Sequence, residues 1–163
     1  MAPATPLERI LLYVDATEGA VAAARYATAL GKAHGAQIHA VYVINERMLG
    51  ELLRAKVFVE EERMDLERDL EEDGKRYLRF VERLASAKDL VITTELRKGV
   101  VHIEVVNRAA EINASLIVLG ELEEPLSRRD CFYCEAEMIL WTARCPVLIV
   151  KGETIADDLY NSI

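Results

Sequence analysis

The sequence predicts an α/β fold, a five-stranded parallel sheet with helices on both faces, and three observations point to it. Short runs at Arg9–Val14 and at residues 37–44, 116–120 and 145–150 are apolar almost throughout. Strands buried on both faces read this way, whereas strands with one wet face alternate. Between the runs, apolar residues recur at three- and four-residue steps, the period of helices packed on one side. The order strand, helix, strand repeats along the chain, which calls for right-handed crossovers in place of hairpins. The 163 residues suffice for one domain, and a chain of that size buries roughly 70% of its unfolded surface.

The elements follow in order. Arg9–Val14 is the first strand, ended by Asp15-Ala16-Thr17-Glu18. Thr17 can cap a helix with Glu18 in its first turn, and Ala20, Ala23, Ala24, Ala27, Leu30 and Gly31 form its inner stripe. Gly35 suits a left-handed C-terminal cap. Residues 37–44 are the second strand. Residues 45–57, with Met48, Leu49, Leu52 and Leu53 among charges, read as a short helix or an excursion over a cleft. Residues 60–87 form one long amphipathic helix, with Leu66, Leu70, Tyr77, Val81 and Leu84 inward across Gly74 and the charges solvated.

Residues 90–96 are the third strand, alternating in part, and 100–112 a helix with Val101, Val105, Val106 and Ala109 inward. Residues 116–120 are the fourth strand, and 121–130, with Pro125 and mixed charges, a loop. A helix over 135–143 leads into the fifth strand at 145–150. Residues 1–151 thus make a single domain, and the acidic segment 152–163, short of core residues, is expected to be a mobile tail.

Twenty Lys and Arg against 28 Asp and Glu leave a net charge of −8. No uniform basic field exists to attract nucleic acid or anionic lipid, so neither is an expected partner. No apolar run approaches the roughly 18–20 residues that span a bilayer, and residues 1–9 lack the pattern of a secretion signal, so the expectation is a cytoplasmic protein. Three cysteines, Cys131, Cys134 and Cys145, are an odd count suited to reduced thiols or metal binding.

Parallel sheets bind ligands beyond the carboxyl ends of their strands, where the winding reverses. The candidate segments are therefore Asp15-Ala16-Thr17, the stretch from Asn45, and Gly120 to Cys134.

Several words of sequence stand in one order: a strand ending Val14-Asp15, an Ala-rich helix, Val41-Tyr42-Val43, Ala114-Ser-Leu-Ile-Val-Leu-Gly120, and Ala143-Arg-Cys145-Pro-Val-Leu-Ile-Val150. Together they resemble the universal stress protein family, which has a similar Ala-x-Cys-Pro-Val run. The resemblance implies the sheet order 3-2-1-4-5 and a homodimer through the last strand, Val147, Leu148, Ile149 and Val150. The apolar edge of that strand, otherwise left open, supports the same expectation.

Many members of that family bind ATP with Gly-x2-Gly-x9-Gly-Ser/Thr after the fourth strand, where glycine lets backbone amides approach phosphates. Laid without gaps from Gly120, the pattern puts Glu123, Tyr133 and Cys134 on the remaining positions. Continuing the count reaches Ala143 and Cys145-Pro146 in register, so the loop keeps its length and loses its chemistry. Glu121, Glu123 and Glu124 would repel a polyphosphate, and Arg128 and Arg129 would offset part of that. Asp15 and Val43 match positions that contact the adenosine half, leaving a nucleoside or a smaller ligand open beside plain turn capping by Asp15. What the resemblance implies is a stress-response protein of the non-ATP-binding class, acting by binding and association, with no catalytic centre and no cofactor. Its nearest alternative binds ATP or another adenine nucleotide through altered contacts.

A rival pattern is His102-Ile-Glu104 followed by Cys131-Phe-Tyr-Cys134, which imitates the elements of zinc nucleoside deaminases. His102, Cys131 and Cys134 would then hold the metal and Glu104 would move protons. Asp130 in place of the proline and the absence of an N-terminal hairpin weigh against it. Cys-x2-Cys at a helix start can also lower a thiol pKa, yet small, partly buried packing residues explain the pair more simply. Cys145 is read as packing, Trp141 as core or interface, and His34 and His39 as surface or helix-end residues. Phosphate-loop, dinucleotide and serine-hydrolase motifs are absent.

Overall fold

A computed structural model describes residues 7–56, 59–122 and 134–163. Its elements are β1 (Arg9–Val14), α1 (Glu18–His34), β2 (Gln37–Asn45), α2 (Glu46–Arg54), α3 (Glu60–Ser86), β3 (Thr93–Gly99), α4 (Val101–Glu111), β4 (Leu116–Leu119), α5 (Glu135–Thr142), β5 (Val147–Ile149) and α6 (Glu153–Asn161). The strands form one parallel sheet in the order β3-β2-β1-β4-β5, as the resemblance implies.

Alternation along each strand divides the core between two faces. Ile10, Leu12, Ile38, Ala40 and Tyr42 pack with the alanines of α1 and with Leu78, Val81 and Ala85 of α3. Leu11, Val41, Val43, Ile117 and Leu119 pack with Val101, Val105 and Ala109 of α4 and Ile139 of α5. The helices begin and end as their sequences direct. Thr17 accepts a hydrogen bond from Ala20 N at 3.3 Å, and Gly35 closes α1 at φ 67°. Asn45 caps α2 through Met48 N at 3.1 Å and Leu49 is buried, so residues 45–54 take the helical alternative. The long helix runs unbroken through Gly74, where a Cβ would lie 2.6 Å from the Tyr42 ring. Glycine brings α3 close to the sheet, and Tyr42 stacks on Tyr77 at 6.2 Å between centroids.

Two expectations are corrected. The third strand begins at Thr93, three residues after the expected start, and extends to Gly99. Leu90 and Ile92 pack into the core on the approach while Val91 is 92% exposed, so their alternation is that of a connecting segment. The strand itself carries charge: Arg97 lies 2.8 Å from Glu104 and 3.0 Å from Glu111, and Arg108 lies 2.6 Å from Glu95. These pairs fasten an edge strand to α4 without an apolar signature.

The segment expected as a mobile tail is α6, packed against α1. Ala156 is fully buried, Arg25 pairs with Asp157, and the Tyr160 hydroxyl donates to Leu84 O at 2.8 Å. Lys88 donates to Ile163 O at 3.0 Å and sits 4.6 Å from the centre of the Tyr160 ring. An alanine fits the small-residue surface of α1 and the remaining anchors are polar, so a search for large apolar residues passes over the helix. Among the described residues no helix is long and apolar enough to cross a membrane.

Candidate functional site

The carboxyl ends of β1, β2 and β4 enclose a cleft of about 320 Å³, lined among others by Tyr13, Asp15, Val43, Asn45, Gly120 and Glu135. Connections leave β1 toward β2 on one side and return through β4 on the other, so the cleft sits where the winding reverses. Asp15, Val43, Gly120 and Cys134, expected from sequence at this end of the sheet, do meet around it.

Asp15 shapes the turn into α1. Its Oδ1 accepts from Thr17 N at 2.9 Å and from the Thr17 hydroxyl at 2.5 Å, while that hydroxyl accepts from Ala20 N. Both bonds fall on Oδ1, and the bonds among the described residues do not use Oδ2. The capping and binding readings of Asp15 are therefore compatible. Tyr13 reaches the same space. Burial, reinforced by Asp15 and Tyr42, holds its phenol well above the usual tyrosine range, so it stays a neutral donor.

Gly120 has a role its sequence context did not reveal. A Cβ there would lie 2.5 Å from Gly19 C and 2.6 Å from Gly19 O, and one on Gly19 would lie 3.0 Å from Glu121 N. The end of β4 rests on the first turn of α1, backbone against backbone, and two glycines are needed for the approach. Gly19 was missed from sequence; a glycine inside the first turn of an otherwise Ala-rich helix, where it lowers helix stability, is the signal that could have found it.

Glu135, the first residue of α5, was also missed. Its Oε2 accepts from His102 N at 2.8 Å and lies 2.6 Å from His102 Nδ1. Both side chains are 13% exposed. This contact weighs against the zinc-deaminase pattern: His102 faces Glu135, while Glu104 turns to Arg97, so the two residues that should share one metal-bound water diverge. Among the described residues no group of three His, Cys, Asp or Glu could hold a metal ion. Cys134 precedes α5 and lines the cleft. Glu123, Cys131 and Tyr133, with Glu124, Arg128 and Arg129, lie outside the described residues.

The charged side chains lining the cleft, Asp15, Glu121 and Glu135, are all acidic; no Lys, Arg or His among the described residues joins them. Lys151 reaches Glu121 from outside at 4.0 Å.

At the far edge, Val147, Leu148 and Ile149 pair with β4 alone among the described residues and are partly exposed. Val150 differs from the other three residues of the expected dimer strand. It lies past the end of β5, donates to Leu119 O at 2.9 Å and is buried in the core. Trp141 on α5 is 79% exposed, which excludes the core reading.

The sequence profile of the universal stress protein family matches residues 6–151. The chain belongs to that family. Universal stress protein MJ0531 of Methanocaldococcus jannaschii is 29% identical over 156 residues, covering 88% of this chain and 82% of that protein. Protein MJ0577 superposes with a TM-score of 0.70 at 20% identity, over 90% of this chain and 96% of its own. A universal stress protein family member of Burkholderia pseudomallei gives 0.67 at 25% identity, over 92% and 100%. A more distant family member from Archaeoglobus fulgidus, solved in complex with dAMP, gives 0.54 at 17% identity, over 89% and 98%.

Proposed function

We propose that this universal stress protein serves the stress response by binding and association, in the cytoplasm and without a catalytic centre, and that its cleft takes a nucleoside in preference to a nucleoside triphosphate. The observation that carries the proposal is the sign of the cleft: Asp15, Glu121 and Glu135 line it and no cation among the described residues does. Two like charges 4 Å apart repel by about 1 kcal/mol in bulk water and about 4 kcal/mol at the effective dielectric of a protein surface. A triphosphate would meet that penalty more than once. A neutral ligand would meet none of it, and could pair with Asp15 Oδ2 and the Tyr13 hydroxyl. Adenine is the base to test first, because a relative of the same fold holds dAMP.

That relative also supports a second reading, in which an adenine nucleotide binds through altered phosphate contacts. Thermal melts separate the two. A ligand at about 100 times its Kd stabilises by roughly 2.7 kcal/mol. Adenosine should raise the Tm and millimolar Mg-ATP should leave it unchanged; a Tm raised by Mg-ATP overturns the first reading in favour of the second.

A further inference from the structure

We infer that Glu135 is the residue that closes this cleft to phosphate, by seating its own carboxylate where an anion would otherwise bind. The inference rests on the reading of the cleft as a nucleoside site and names the group that sets its selectivity.

Four helices start at the cleft wall, and two of them, α1 and α2, are capped by Thr17 and Asn45. Of the other two, α4 begins at Val101 and α5 at Glu135, and Val101, Cys134, Glu135 and Ala136 all line the cavity. A helix N-terminus presents free backbone N–H groups and about half a positive charge, which together attract anions. Neither start is closed in the ordinary way, since Val100 and Cys134 at the cap positions make no side-chain cap bond. The Glu135 carboxylate does that work. Springing from the first turn of α5, it takes the backbone N–H of His102 in the first turn of α4, with the His102 ring against the same oxygen. An anion is therefore already bound between the two helix starts, and it belongs to the chain.

The other two acids are placed differently. The Asp15 Oδ1 is spent on the Thr17 turn. The Glu121 side chain is 52% exposed and reaches out toward Lys151, so solvent screens it and it can swing away. Glu135 is four times less exposed and doubly held, so its charge stays in place when a ligand arrives. A phosphate entering there would have to displace a hydrogen-bonded carboxylate or lie beside it.

The test is calorimetric titration of the wild type, Glu135→Gln and Glu121→Gln with adenosine and with AMP. The glutamine keeps the size of the side chain and an oxygen to accept from His102 N while removing the charge. In Glu135→Gln, AMP should bind at least about tenfold tighter than in the wild type, the scale of a partly screened like-charge pair. Adenosine affinity should stay within about threefold, and Glu121→Gln should gain less than about threefold for AMP. Glu135→Asp, which keeps the charge, should retain the wild-type selectivity and guards against misfolding as the cause. Unchanged AMP affinity in Glu135→Gln, or an equal gain in Glu121→Gln, with adenosine bound throughout, overturns the role of Glu135 and leaves the nucleoside reading standing. Adenosine bound by none of the proteins overturns that reading and this inference with it.

Discussion

Gly120 shows how one residue can look functional for one reason and be required for another. Its place after β4 marks the start of a phosphate-binding motif in relatives, but here its missing side chain admits the backbone of Gly19. A Cβ at 2.5 Å from a main-chain carbon cannot be relieved by a rotamer change, because neither backbone can turn aside. Gly120→Ala should therefore cost about 1–3 kcal/mol, the range of overpacked sites, read as a lowered urea midpoint at unchanged slope. A midpoint equal to the wild type would show that β4 and α1 are not in contact through these glycines. Asp15 was legible from sequence because aspartate after a strand has few roles. The pairing of Glu135 with His102 was not, since residues 33 positions apart meet only once α4 and α5 lie side by side.

Among the elements, β1, β2, β4 and α1 were readable to within a residue or so because their burial is apolar and periodic. β3 and α6 were misread for a shared reason: both are held by polar contacts. The β3 contacts with α4 predict acid sensitivity. His39 on β2, expected at the surface, has a buried Nδ1 with no partner. Its pKa is lowered from 6.5 by burial first, then by Arg108 and Arg9, with Glu95 opposing. Glu111 is lowered from 4.5 by its hydrogen bonds to Arg97 and Arg108.

For both groups the unfolded chain takes up a proton at a higher pH than the folded one, so stability is lost as pH is lowered. The His39 contribution is complete above its ordinary value of 6.5 and declines as pH drops through its folded pKa. The Glu111 contribution is complete above 4.5 and declines below that. Urea midpoints measured from pH 8 downward should thus fall in two stages, and His39→Gln should flatten the first stage only. An equal slope below pH 6.5 in both proteins would remove His39 from the account.

At the scale of the whole molecule, the net charge of −8 first argued against polyanionic partners in general. Three of the 28 acids, Asp15, Glu121 and Glu135, line the cleft at the switch point of the sheet. Family and sheet order were readable from a few ordered words of sequence. The cleft chemistry was half readable, because substituted motif positions show what a loop has lost and not which side chain has moved into the space.

Assembly belongs to this scale as well. Among the described residues β5 pairs along one edge only, and Trp141 with part of Met138 and Leu140 is exposed on α5, the helix that precedes it in the chain. Sedimentation equilibrium at micromolar concentration should return twice the chain mass, and a monomer mass would contradict pairing through β5.

The central claim is that the cleft accepts a nucleoside and refuses a triphosphate. Calorimetric titration of the intact protein with adenosine and then with Mg-ATP, in one buffer at one ionic strength, tests it most directly. Adenosine should bind at least about tenfold tighter, the factor that roughly 1.4 kcal/mol of repulsion supplies. Mg-ATP binding as tightly as adenosine, or tighter, would contradict it.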